Sequence, residues 1–161
     1  MGKKVNIVYY SRTGTTRKVA EKIFSRLVKK TEVSISEIKS KINYPYFLWL
    51  FLSFFPDIGA EIDYQPIDGD LVFLCFPKWT INCPPLTRFL QSTELRDKKV
   101  VIITTYGGFD EKRYANYYRK KIERMGNEVK GVILIKRSNI IEEEFEYLID
   151  VVEKLIENEL E

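Results

Sequence analysis

The 161-residue chain has no histidine and only two cysteines, and each shortage removes chemistry. Without imidazole there is no His general base, no Ser–His or Cys–His pair and no His metal ligand. Cys75 and Cys83 are not spaced as a CxxC pair, so a redox dithiol is not expected, and a reducing, cytoplasmic location is the simplest reading. Charge of one sign is not in great excess: 26 Lys and Arg face 23 Asp and Glu, a net of +3. The basic residues are spread along the chain without a nucleic-acid motif, which argues against a nucleic-acid partner. No run approaches the ~20 apolar residues of a membrane span. The first residues, MGKKVNIVYYSR, lack the long apolar region of a signal peptide. The phosphate signatures GxxxxGK[ST] and GxGxxG are also missing.

What is present is alternation of strand and helix. Strand-like runs cover Lys4–Tyr10, Glu32–Ile38, Asp70–Phe76, Lys99–Thr104 and Glu128–Ile135. The third and fourth are almost continuously apolar, as strands covered on both faces are. Helical spacing from Thr15 puts Val19, Ala20, Ile23, Phe24, Leu27 and Val28 on one stripe. A second helix is expected over Pro84–Gln91, opened by its prolines. A third, Glu111–Met125, carries Tyr114, Tyr118, Ile122 and Met125 on one side and stops at Gly126. The last, Ile141–Leu155, aligns Phe145, Leu148, Ile149, Val152 and Leu155. This pattern predicts one α/β domain over residues 1–161 with a central parallel sheet.

Ligands of such open sheets bind at the carboxyl ends of the strands, where the strand order reverses. Three loops therefore matter: Ser11–Thr16, Pro77–Pro85 and Thr105–Asp110. In the first, Ser11, Thr13, Thr15 and Thr16 offer four hydroxyls within six residues. The helix starting near Thr15 adds unpaired N–H groups and the positive end of its dipole, so the loop suits one phosphate. Gly14 permits the tight turn. A nucleoside triphosphate would want a lysine and a magnesium ligand that this loop lacks. A plain helix cap is the structural alternative.

These loops together resemble those of the flavodoxin family. Ser11-Arg12-Thr13-Gly14-Thr15-Thr16 fits the family's phosphate loop at every fixed position. Pro77-Lys78-Trp79, with Thr80 beside it and Pro84-Pro85 beyond, fits its second loop. Thr105-Tyr106-Gly107-Gly108 fits its third. The resemblance implies a five-stranded parallel sheet of order 2-1-3-4-5 in a three-layer sandwich, and FMN as cofactor. Ser11 through Thr16 would hold the ribityl phosphate, Pro77 to Thr80 would flank the ring with Trp79 against it, and Thr105 to Gly108 would reach its polar edge. Electron transfer to a redox partner protein, or to a small acceptor such as a quinone, is the implied activity. A flavin-dependent NAD(P)H/quinone-type oxidoreductase and a flavin-less interaction module on the same fold are the alternatives.

Two features depart from the family. Phe76 stands where relatives have a small hydroxyl residue and is expected to narrow the way to the ring. Arg12, Lys78 and Arg113, in place of an acidic surround, are expected to make the couple of the fully reduced flavin less negative. A third oddity is YPYFLWLFLSFF, residues 44–55, nearly devoid of polar groups. A buried crossover helix, a homodimer surface and an apolar platform for a quinone or membrane surface all remain open readings of it.

Overall fold

A computed structural model describes residues 3–141 and 146–160. Five strands, β1 (Val5–Tyr9), β2 (Val33–Glu37), β5 (Leu71–Pro77), β6 (Lys99–Tyr106) and β7 (Glu128–Lys136), form one sheet. Its order is β2-β1-β5-β6-β7 and every pair is parallel. The expected order 2-1-3-4-5 is thus observed. The labels differ only because β3 (Lys39–Ser40) and β4 (Ile62–Asp63) form a separate antiparallel ribbon.

Side chains alternate across the sheet and build two cores. On one face Ile7 and Tyr9, Phe73 and Cys75, and Val101 and Ile103 meet α1 (Thr15–Leu27) and α6 (Glu146–Leu160). On the other, Val8 and Tyr10, Leu74 and Phe76, and Val100 and Ile102 meet α3 (Pro84–Ser92) and α4 (Glu111–Arg124). This parity overturns the expectation for Phe76. Its side chain is fully buried against Tyr114 and Tyr118 of α4, with ring centroids 6.2 and 4.9 Å away. It fills the core and narrows nothing.

The helix stripes match the expected positions with small exceptions. Val28 lies one residue past the end of α1 and is exposed. Gly126 follows α4 with φ +91°, a conformation that ends the helix at little cost to glycine. Towards the C-terminus the described helical segments are α5 (Arg137–Ile141) and α6 (Glu146–Leu160). Phe145 and the side chain of Leu148 lie outside the described residues, while Ile149 and Val152 are buried.

Residues 44–55 depart most from a buried crossover. The ribbon β3–β4 pinches the base of an excursion, with Lys41 N–H donating to Glu61 O at 2.9 Å. Its tip carries α2 (Tyr46–Ser53), of which only Trp49 and Ser53 are buried. Ile38, Ile62, Tyr64 and Ile67 cover the sheet where a crossover helix was expected. The buried-helix reading is therefore wrong: the sheet face is already covered, and α2 stands off it.

Candidate functional site

Gly14, at φ +90°, is the N-cap of α1, and no side chain caps the helix. The first N–H groups of α1 are left without intrahelical partners. Ser11 Oγ instead accepts from Gly14 N–H at 3.0 Å, holding the turn closed. Thr13 and Thr15 hydroxyls lie 3.5 Å apart at the rim. Thr16 differs from its neighbours. It is buried, and its hydroxyl pairs with Thr105 Oγ1 at 2.8 Å, tying the first helix to the end of β6. Thr16 and Thr105 share one committed hydrogen bond, so their role is to set the floor.

A cavity of about 280 Å³ opens above this floor. One wall is the hydroxyl loop, another is Pro77 to Thr80, and a third is α2, through Tyr46, Trp49, Leu50 and Ser53. The two indoles meet: Trp79 lies 5.7 Å from Trp49, and 5.7 Å from Tyr10. Such edge and tilted contacts hold aromatic rings at fixed angles. Ser53 and Thr80 hydroxyls join α2 to the second loop at 2.7 Å. Lys78 N–H donates to Thr105 O at 2.7 Å, joining the second loop to the third.

Among the described residues the lining includes three cations, Arg12, Lys78 and Arg137, and no carboxylate. That composition favours an anion in the cavity. The Arg12 guanidinium lies 5.0 Å from the centre of the Tyr46 ring, and Lys78 Nζ 5.4 Å from that of Phe109. Arg113, expected to add to this charge, is paired with Asp110 and neutralised.

Of the expected site residues, the cavity gathers Ser11, Arg12, Thr13, Thr15, Thr16, Pro77, Lys78, Trp79, Thr80 and Thr105. Gly14 shapes the turn behind it. Tyr106, Gly107 and Gly108 are not among its lining residues: Tyr106 ends β6, and the exposed glycines follow. Arg137 was missed. It follows the fifth strand, and its only signal in the sequence was a basic residue at that strand's carboxyl end. Trp49 and Ser53 sat inside the unexplained apolar stretch.

The thiols take no part. Cys75 and Cys83 are both fully buried and unbridged, and burial pushes the Cys83 thiol up to about 12. A thiol held protonated is a poor nucleophile.

An open parallel sheet of this order, helices on both faces and a cavity at the strand-order reversal define a flavodoxin-like α/β protein. No family model matches the chain. An uncharacterized protein of Archaeoglobus fulgidus is 41% identical over 138 residues, spanning 86% of this chain and 89% of its own. The chain belongs to one family with that protein. Among solved structures, a flavoprotein from Lactobacillus acidophilus NCFM, crystallised in complex with FMN, superposes with TM-score 0.67 at 23% identity, covering 87% of this chain and 97% of its own. A flavodoxin from the domain Archaea superposes with TM-score 0.58 at 19% identity, covering 94% and 98%.

Proposed function

We propose that this cavity binds FMN and that the chain is a flavodoxin-like electron carrier. The single observation that supports it best is the pairing of an uncapped helix start among hydroxyls with three lining cations. A dianionic phosphate fits that setting through helix N–H donors, the Ser11, Thr13 and Thr15 hydroxyls and nearby positive charge. Trp79 and Trp49 supply apolar wall for an aromatic ring. The likeness to an FMN-bound flavoprotein agrees with this reading.

Bound FMN accepts and releases electrons; the protein positions it and tunes its potential. Thr16 and Thr105 hold the phosphate loop at a fixed distance from β6. Lys78, half-buried beside Trp79, supplies positive charge near the ring. A unit charge about 8 Å away at effective dielectric ~20 contributes roughly 2 kcal/mol, about 90 mV for one electron before screening. Lys78→Met is therefore expected to lower the couple of the fully reduced flavin.

FMN titration by flavin fluorescence quenching tests the reading. The chain binds FMN, and Thr13→Val weakens binding by about 3- to 15-fold, the worth of one hydrogen bond. No binding at micromolar FMN would refute it.

One observation favours the quinone-reductase alternative: α2, exposed and apolar, lines the mouth of the cavity. Stopped-flow mixing with NADH or NADPH separates the two, since direct rapid reduction belongs to an enzyme. The flavin-less module loses its support with Phe76 in the core.

A further inference from the structure

The apolar side chains of α2 and its exit turn are turned to solvent. Tyr46 is 62% exposed, Phe47 72%, Phe51 58% and Phe54 53%, and Phe55 and Ile58 continue the patch. Phe109, 82% exposed, adds a further aromatic ring beside Lys78, whose Nζ lies 5.4 Å from its centre. Contiguous exposed patches of this kind mark interaction sites.

The charges around the patch identify what it meets. Arg12 sits over Tyr46 and Lys78 over Phe109. Arg88 packs against the backbone at Gly59, next to Ile58. None of the three forms an ion pair among the described residues. Two of the carboxylates beside the patch are paired: Asp57 with Lys121 at 2.6 Å and Asp110 with Arg113. Residues 43–56 contain no charged side chain. The patch is thus aromatic, with a rim of open cations. Aromatic rings favour the level of lipid headgroups, and cations favour anionic headgroups. A two-fold contact with a second copy would bring the like-charged Arg12, Lys78 and Arg88 rims together.

We propose that α2 and Phe109 form a docking face for an anionic lipid surface. Eight residues make a helix about 12 Å long, far short of a ~30 Å hydrocarbon core, so α2 lies in the interface plane. No helix among the described residues is long and apolar enough to cross a membrane. Because Tyr46, Trp49 and Leu50 of the same helix line the cavity, docking brings the cavity mouth to the lipid surface. An acceptor dissolved in lipid would then reach the site directly. That role rests on the flavin reading above; the docking face does not.

The test is co-flotation of the full chain with vesicles of phosphatidylcholine mixed with phosphatidylglycerol, and with phosphatidylcholine alone. The chain floats with the mixed vesicles and much less with the neutral ones, and added salt releases it. The double variant Phe47→Ser, Phe51→Ser lowers partitioning by about tenfold or more, and Arg88→Glu lowers it on anionic vesicles alone. None of these side chains lines the cavity, so FMN titration of the same variants is unchanged, which separates this failure from that of the flavin reading. Absence of flotation overturns the proposal. So does equal binding to both vesicle types, or light scattering that shows a dimer which the serine pair dissociates.

Discussion

LVFLCFP in β5 and YFLWLFLS in α2 are both almost wholly apolar, yet every residue of the first is buried and only two of the second are. β5 is the middle of the sheet, with β1 and β6 on its edges and helices over both faces. α2 leaves the sheet on a pinched ribbon and is held by a few polar groups instead. Ser53 O accepts from Ile81 and Asn82 N–H groups, and Asn82 Nδ2 reaches Phe55 O and Ile58 O at 3.0 and 2.7 Å. The difference teaches that hydropathy sets the demand for cover, while topology decides whether it is met inside the chain.

The largest effect that sharpens this contrast is Phe73→Ala in β5. Phe73 is fully buried in the core with α1 and α6, so truncation leaves a cavity costing about 3–5 kcal/mol. Guanidinium unfolding reads it. A loss below about 1 kcal/mol would mean that the sheet centre is packed no better than the surface helix.

Alkaline pH should expose the same well-covered interior. Cys83, in the core beneath α3, is held protonated up to about 12 against an ordinary 9.0 because burial penalises the thiolate. Burial raises Tyr118 and Tyr114 in the same direction. A raised folded-state pKa gives stability that is complete below the unfolded value. It is lost as pH climbs, because the unfolded chain releases protons first. Melting temperature should therefore fall steadily above about pH 9, and a plateau to about pH 11 would contradict the buried thiol.

Asn82→Ala cuts the tether between the two regions. Asn82 Oδ1 accepts from Thr87 and from Tyr118 at 3.0 Å, so alanine removes a shared acceptor of two buried hydroxyls as well as the donors to the carbonyls of Phe55 and Ile58. A cost of about 2–3 kcal/mol is expected. Faster proteolysis within residues 44–58, with the sheet intact, checks that the loss is local at α2.

Legibility in the sequence followed the same division. β5 could be read because a strand covered on both faces has to be apolar throughout. The loop Ser11–Thr16 could be read as a wall of the cavity because it follows a strand at the carboxyl end of an open parallel sheet. Phe76 could not, since a strand apolar on both sides gives no sign of which face a residue takes. Nor could Arg137 or the Thr16–Thr105 bond, whose partners lie 89 residues apart; only strand order brings them together. α2 failed for the opposite reason. Its apolar run was plain, but nothing in one dimension says that the sheet beneath has other cover.

The smallest expected effect is Phe47→Ala, and it tests the comparison from the other side. Phe47 is largely exposed and lies outside both core clusters. Its ring leaves little more water on folding than it did in the unfolded chain, so truncation should change stability by no more than about 0.5 kcal/mol. Unfolding in denaturant without lipid is the measurement, because lipid would add its own stabilisation through binding. A loss approaching that of Phe73→Ala would mean that Phe47 is covered in solution by something of this chain's own making. The exposed face would then be part of a core, and the distinction between the two apolar stretches would disappear.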